Sequence, residues 1–407
     1  MLEFLNNPLV ADIIKSALVI FVLLTAFAYM TLIERRVVAK LQGRLGPNRL
    51  GPFGLLQPLA DAIKMAFKEQ IVPTQAKKAI YLIAPVVSVV VALCAFAVVP
   101  VGNNWSATPT RPGVWDPVIG DLNVGLLWIL AISSLTVYGI VLGGWASGNR
   151  YSLLGALRSA AQMVSYETSL GLALSGALMW AGTLSMVGIV QQQISQGIWF
   201  IMAQPLGLLL YLVAGVAEVN RAPFDLPEAE QELTAGYLTE YSGLRWSLYQ
   251  MAEYINMITV SAVITTVYLG GWSFFGLERF PLLSLAFFLL KVACFLFLFI
   301  WLRATLPRIR YDRLMRLGWQ TLLPLAVLNV VITAVCVALG WAWYWNFLAD
   351  IIVIGGVLVY ERRAIIKVST KVEIAEGGKS RELTLPVSVR LEKFEPVTME
   401  KSSVRMN

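Results

Sequence analysis

The stretch 218-EVNRAPFDLPEAEQEL-233 lies between two apolar runs, one ending near Val216 and the next beginning near Trp246. Runs of that length can cross a bilayer, so the stretch reads as a loop between membrane-spanning helices. It holds Glu218, Asp225, Glu228, Glu230 and Glu232 against one base, Arg221, although the chain as a whole has net charge +7. Part of this acidity has a local cause. Asp225 can cap a helix, with Glu228 completing an Asp-x-x-Glu capping box. Glu230 and Glu232 then favour the positive end of the helix dipole. The rest has no such cause. Glu228 and Glu232 share a helix face at spacing four, where like charges repel, and Glu218 and Glu240 stand to either side. Clustered carboxylates titrate as a coupled set. A loop that tolerates this repulsion suits a proton reservoir, or a contact for a basic partner.

Working outward, hydrophobic residues make up 57% of the 407, charged residues 14%, and the mean hydropathy is +0.69. A soluble domain carries about 25% charged residues. The expected fold class is an all-α polytopic membrane protein. Nine apolar spans are expected, at about 13–33, 79–101, 124–145, 159–184, 198–217, 246–270, 282–302, 320–341 and 345–360. The first runs on toward "TLIERR" without a small-residue cleavage pattern, so it is not read as a cleavable signal. Residues 1–360 then form a transmembrane helical domain and 361–407 a cytoplasmic tail. The tail alternates polar and apolar residues around Gly377-Gly378, a hairpin pattern.

Basic residues orient the spans. Segment 34–78 carries Arg35, Arg36, Lys40, Arg44, Arg49, Lys64, Lys68, Lys77 and Lys78, and segment 303–316 carries five arginines. The loops after the second and sixth spans hold one each, Arg111 and Arg279. This places the N-terminus outside, with the basic loops and the C-terminal tail in the cytoplasm.

Composition also excludes chemistry. There is no histidine, and Cys94, Cys294 and Cys336 lie far apart. Such a set does not make a cluster or haem site. No flavin, iron-sulfur cluster or metal is expected. "GGKS" (377–380) has Glu373 where a phosphate-cradling loop needs glycine, and no nucleic-acid partner is expected.

Two regions suggest function. In segment 34–78, Gly46-Pro47 and Gly51-Pro52 mark turns, and Pro58 suits a helix start. Leu59, Ile63, Ala66 and Phe67 share one face of that helix, Asp61, Lys64 and Lys68 another. This is an amphipathic interfacial helix, either a lipid-facing anchor or a wall whose apolar face lines a cavity. Within the spans, Glu167 and Glu253 each lie about 12 Å deep at 1.5 Å per residue. Lys291 lies at similar depth from the other side. Intramembrane ionisable groups are costly and mark function by default. Tyr166, Tyr249 and Tyr254 are sequence neighbours whose hydroxyls can bond these carboxylates.

The segments "LIERR", "GRLGPNRLGPFGLLQPLADAIKMAFKE", "RAPFDLPEAEQELTAGYLTEYSG" and "WLRATLPRIRYDRLM" resemble a membrane-subunit family of the bacterial proton-pumping NADH:quinone oxidoreductase, respiratory complex I. The family is that of the H subunit, homologous to subunit 1 of the mitochondrial enzyme. The resemblance covers about residues 10–340. It implies a bacterial cell-membrane protein that forms a quinone chamber with peripheral quinone-reducing subunits. It also implies the start of a proton path toward neighbouring membrane subunits, with quinone as substrate, lipid around it and no complete active site in this chain. By the resemblance, Glu34, Arg35, Arg36, Gln57, Asp61, Lys64, Phe224, Asp225 and Glu228 belong to the chamber. Glu167, Glu218, Glu230, Glu232, Glu240 and Glu253 belong to the proton path. Two positions depart from the pattern: Ser134 stands where similar sequences carry glutamate, and Leu238 where a polar residue is common. Competing readings are a related subunit of a membrane-bound hydrogenase, a stand-alone proton-coupled carrier, and a structural anchor.

Overall fold

The computed structural model describes residues 8–102, 118–225, 235–274, 281–367, 371–376 and 379–384. Eleven helices of more than six residues run through the described residues. They are α1 (Pro8–Leu41), α2 (Gln57–Phe67), α3 (Lys78–Phe96), α4 (Gly125–Ala146), α5 (Arg150–Ala181), α6 (Met186–Gln196), α7 (Pro205–Glu218), α8 (Gly243–Tyr268), α9 (Pro281–Thr305), α10 (Tyr311–Ala338, with a π-helical turn at Leu317–Leu322) and α11 (Trp343–Lys367). Helices suit such a chain because hydrocarbon supplies no partners for backbone N–H and C=O groups, which must then be satisfied within the segment.

Two compact units are present, Met1–Asp350 and Ile351–Asn407. In the second, strands β1 (Lys371–Glu376) and β2 (Lys379–Thr384) pair antiparallel, with Glu376 opposite Lys379. This is the hairpin that the alternation around Gly377-Gly378 suggests.

Among the described residues five helices are long and apolar enough to cross a membrane: α1, α3, α4, α9 and α10. A sixth is reached if α5 and α6, bent by 53°, count as one span. The expected nine differ for physical reasons. The run 198–217 is broken at Gln204-Pro205, where Phe200–Ala203 stops and proline starts α7. That leaves a 14-residue helix, about 21 Å long against a hydrocarbon core of about 30 Å. The apolar part of α11, Trp343–Val359, is also short. Helix α8 has 26 residues but carries Arg245, Gln250, Glu253 and Asn256. Every residue from Met257 to Tyr268 is buried, so its surface meets protein and need not be apolar.

Local signals set the breaks. Asn149 caps α5, accepting a hydrogen bond from the Tyr151 amide at 2.9 Å. Gly182, at φ 65°, ends α5 in the left-handed region, where glycine is unstrained. Ser185 then caps α6, accepting from the Gly188 amide at 3.1 Å, while its hydroxyl donates to Asp121 at 2.6 Å.

Helix α3 packs along α4 and α8, and α5 packs against α4, α7 and α10. A tyrosine core ties loop 235–242 to this bundle. Tyr81 stacks on Tyr241 with centroids 4.3 Å apart, and Tyr249 meets Tyr241 edge-on at 5.0 Å. Such pairs each add about 0.5–1.5 kcal/mol beyond area burial. Tyr249 also approaches α4 so closely that a Cβ on Gly143 would strike its hydroxyl. Leu238, the polar-to-apolar departure, is buried in this core.

Candidate functional site

Helix α1 has 34 residues, about 51 Å at 1.5 Å per residue, so its last turns extend beyond a hydrocarbon core of about 30 Å. Those turns carry Glu34, Arg35 and Arg36. A cavity of about 570 Å³ opens beside them, walled by α1, α2, α8 and α9. Glu34, Arg35, Asp61, Lys64, Tyr254 and Arg303 are among its polar lining, and Phe27, Met65 and Trp246 among its apolar lining. Its volume is that of an ordinary small-molecule site, about 300–1,000 Å³. Asp61 is the polar centre of α2. It accepts from Arg35 at 2.7 Å and Gln57 at 3.2 Å, with Lys64 at 3.5 Å. The amphipathic helix faces opposite to the greasy-wall reading. Leu59, Ile63 and Phe67 point outward and are exposed, while Pro58, Asp61, Ala62, Lys64 and Met65 line the cavity. Arg36 turns from the cavity and donates to the Pro47 carbonyl at 3.4 Å, bracing the Gly-Pro loop.

Behind the cavity stands an ionic wall. Glu34, 5% exposed, accepts two hydrogen bonds from Arg221, at 3.2 and 3.0 Å, and one from the Tyr254 hydroxyl at 2.8 Å. It also pairs with Arg303 at the end of α9. On its other side the Arg221 Nε lies 2.8 Å from Glu253. The guanidinium also rests 4.2 Å over the Tyr254 ring. Burial disfavours its charge, but Glu253 and Glu34 outweigh that and hold its pKa above the ordinary arginine value. Local backbone makes this possible. Asn220 takes φ 57° at the end of α7, a conformation asparagine tolerates, and turns Arg221 inward. Gln162 on α5 donates to the carbonyls of Ala217 and Phe224, at 2.7 and 2.8 Å, and pins the loop on both sides of Arg221. The Ala222–Pro223 bond is cis.

Beyond Arg221 lie two small cavities of about 30 Å³ each, enough for a water where polar partners exist. One brings together Glu218, Asp225 and Glu253 with Asn220, Asn256 and Thr136. The other holds Glu218, Ser133, Thr259 and Tyr211. Glu218 and Glu167 interact electrostatically, and the Ser134 hydroxyl donates to Glu167. The serine departure therefore places a hydroxyl on the carboxylate chain.

Other expected residues fall elsewhere. Phe224 packs on Tyr166, centroids 6.0 Å apart, away from the large cavity. Asp225 sits with the inner carboxylates, as does Glu253. Glu240 accepts from Asn149 at 2.7 Å in a separate open groove. Glu228, Glu230 and Glu232, with the expected capping box, lie outside the described residues. The tyrosine hydroxyls reach other acceptors, and Tyr166 and Tyr254 are adjacent to their carboxylates, where residues point apart on a helix. Tyr254 donates to Glu34, Tyr166 to the Leu314 carbonyl at 2.8 Å, and Tyr249 to the Gly139 carbonyl at 3.0 Å. Lys291 donates to the carbonyls of Leu269, Gly271 and Ser273 at 2.6–2.9 Å, closing the end of α8. The roles of Arg221 and Arg303 are not evident from the sequence. The available signal is a lone base in an acidic loop and a base ending an apolar run.

Among the described residues no group of three or more His, Cys, Asp and Glu is placed to hold a metal ion.

A family profile described as NADH dehydrogenase matches residues 14–334. The chain is 49% identical over 355 residues to the H subunit of NADH-quinone oxidoreductase from Deinococcus deserti, covering 85% of this chain and 89% of that protein. It is 51% identical to the corresponding H subunit from Deinococcus radiodurans, covering 82% and 84%. It is 52% identical to NADH-quinone oxidoreductase subunit 8 of Thermus thermophilus, covering 85% and 93%.

Proposed function

The chain belongs to the NADH dehydrogenase family, among the H subunits of NADH-quinone oxidoreductase, and from that premise we propose that the 570 Å³ cavity takes the quinone headgroup and that its reduction is felt by the carboxylates behind Arg221. The observation that carries this reading is the single wall between the two compartments. Glu34 lines the large cavity, Glu253 lines the inner one, and Arg221 hydrogen-bonds the first and forms an ion pair with the second.

Reduction of quinone to quinol takes up two electrons and two protons. Charge appearing near Glu34 loosens or tightens its hold on Arg221, and so changes the balance at Glu253. From there Asp225, Glu218 and Glu167, with Ser134, offer successive proton-holding groups. Electrons arrive from peripheral subunits, which complete the chamber. The electron-carrying groups belong to those partners, since this chain brings no histidine. Counting the bent pair α5 and α6 as one crossing, and α7, α8 and α11 as one each, with the five helices of clear composition makes nine. The density of basic residues in 34–78 and 303–316 puts the chamber mouth on the cytoplasmic side of a bacterial cell membrane, with the N-terminus outside.

A photoreactive quinone tests the assignment in the assembled complex. Labelling of α1 or α2, competed by unmodified quinone, is expected. Labelling confined to other subunits, or uncompeted labelling, overturns it.

A further inference from the structure

A second buried polar cluster lies well away from the ionic wall. Gln204, at the break before α7, has no solvent exposure, and neither do Asn329, Thr333, Asn346 and Asp350. Gln204 Nε2 donates to Thr333 Oγ1 at 2.7 Å, and that hydroxyl donates to the Asn329 carbonyl at 2.8 Å. Asn346 Nδ2 donates to the Ala203 carbonyl at 2.7 Å, and the Leu206 amide donates to Asp350 Oδ2 at 3.4 Å. Among the described residues five polar atoms of this cluster have no partner: Gln204 Oε1, both atoms of the Asn329 amide, Asn346 Oδ1 and Asp350 Oδ1.

The Gln204 and Asn346 amide orientations are settled by their neighbours, and Asn329, with neither amide atom paired, presents one oxygen and one NH2 whichever way it is turned. Asn346 faces a carbonyl, which only accepts, and the one proton of Thr333 is already given to Asn329, so Gln204 must donate. The orphans are therefore four oxygens and one N–H. A metal cation satisfies oxygens but repels the Asn329 N–H. Water, which donates and accepts, satisfies both kinds. Gly207 packs directly against these groups. A Cβ on Gly207 would lie 3.1 Å from Gln204 Oε1 and 3.3 Å from both Asn329 Nδ2 and Tyr268 Oη.

The cluster is placed to receive protons. Gln204 is 14 residues before Glu218 along α7, and Tyr268 is 15 residues after Glu253 along α8. Both separations are about 21–23 Å at 1.5 Å per residue, most of a bilayer. Tyr211 bridges the gap. It lines the small cavity with Glu218, and its ring lies 6.2 Å from that of Tyr268.

We propose that Gln204, Asn329, Asn346 and Asp350 form a hydrated proton-transfer site, in which the Asp350 carboxylate accepts a proton released by the Glu218 carboxyl by way of water, Tyr211 and Tyr268. The Tyr268 hydroxyl rests on the Ala173 carbonyl at 3.0 Å and turns from it to pass its proton on; each hydroxyl on the way accepts one proton and passes on its own, so none gains or loses charge overall. The role of Glu218 rests on the function proposed above; the water site itself does not.

The test uses the assembled complex. A high-resolution map is expected to show ordered water between Gln204, Asn329 and Asp350, at hydrogen-bond distances. A dry site, or a sodium ion with sodium-dependent pumping, overturns the proposal. In proteoliposomes Asp350→Asn is expected to lose proton pumping, and Asp350→Glu to restore it. Gly207→Ala, which presses a methyl group against Gln204, Asn329 and Tyr268, is expected to lower it too. If Asp350→Asn does not assemble, Tyr268→Phe and Gly207→Ala decide. Full pumping in the assembled variants refutes the transfer role. Failure of quinone labelling alone refutes the chamber and leaves the water site standing.

Discussion

Arg221 clamps Glu34 through two parallel hydrogen bonds, at 3.2 and 3.0 Å, while its Nε lies 2.8 Å from Glu253. The guanidinium is the one side chain able to do this, because its planar fork presents donors on two edges at once. Lysine offers a single point charge. Arg221→Lys is expected to keep Glu34 paired and release Glu253. Quinone reduction should fall about tenfold or more, the equivalent of one lost charge-assisted bond of about 1.5–3 kcal/mol. Arg221→Ala strands two carboxylates behind the wall and should destabilise the protein by about 3–5 kcal/mol, read as loss of assembled complex. Wild-type activity in Arg221→Lys would show that the wall does not join the compartments.

The same bond makes a prediction about pH. Glu253 and Glu34 hold the Arg221 pKa above its ordinary value, against the lowering effect of burial. A raised folded-state pKa gives stability that is complete below the unfolded value and lost only as pH rises through the folded one. Arginine titrates above about 12 even when unfolded. The wall should therefore lose none of its Arg221 charge across the working range of the enzyme. In Arg221→Lys an alkaline loss of activity should appear at lower pH than in wild type, since lysine titrates near about 10.4. Superimposable pH–activity profiles would count against it.

The chamber offers a separate contrast. Arg35 bonds Asp61 at 2.7 Å on the cavity wall, whereas its neighbour Arg36 reaches the Pro47 carbonyl. Arg35→Ala and Asp61→Ala are expected to raise KM for quinone several-fold, roughly 1 kcal/mol of lost headgroup binding. Electron transfer from NADH to an artificial acceptor should survive. Arg36→Ala is expected to act instead through the loop, with a smaller KM effect. The reverse ranking would place Arg36 in the chamber.

These contrasts show what the sequence could and could not disclose. The helices were legible because apolar runs of about 20 residues have one stable form in hydrocarbon. The hairpin at 371–384 was legible from period-two alternation. Helix α8 was legible as a run, but its surroundings were not. Polar residues at 245, 250, 253 and 256 make sense only once α3, α7 and the tyrosine core enclose them. The chamber carboxylates Glu34 and Asp61 could be named from the segment "LIERR" and the amphipathic helix. Their partners could not, since Arg221 and Arg303 are 187 and 269 residues distant from Glu34. Glu240 is assigned to the proton path by the resemblance, and no sequence signal shows that it accepts from Asn149 in a separate open groove. The pairing of Ser134 with Glu167 was likewise hidden. A serine in an apolar run ordinarily bonds its own helix, and the Ser134 oxygen does lie 3.0 Å from the Leu130 carbonyl, which competes with Glu167 for its one proton.

Ser134 and Glu167 lead to the last prediction, which concerns coupling. Glu167 on α5 and Glu253 on α8 are proposed to lie at membrane depth, where an ionised carboxylate is disfavoured by about 2.5–3.5 kcal/mol. Each is provided for differently. Glu253 faces Arg221, and Glu167 accepts from the Ser134 hydroxyl. Glu253→Gln and Glu167→Gln keep shape and hydrogen bonding but remove ionisation. Both are expected to abolish proton pumping in the assembled complex, and quinone reduction with it where the two are tightly coupled. Ser134→Ala removes only the hydroxyl. It should slow pumping while leaving assembly intact, and Ser134→Thr should restore it, because threonine carries the same donor. A purely structural anchor behaves otherwise. In that case a neutral amide at Glu167 is harmless, and Ser134→Ala loses only a hydrogen bond of about 1 kcal/mol. The measurement is pH-gradient formation alongside NADH:quinone activity in proteoliposomes, with assembly verified first. Full pumping in both glutamine variants would leave the anchor reading in place and strip Glu167 and Glu253 of the relay role.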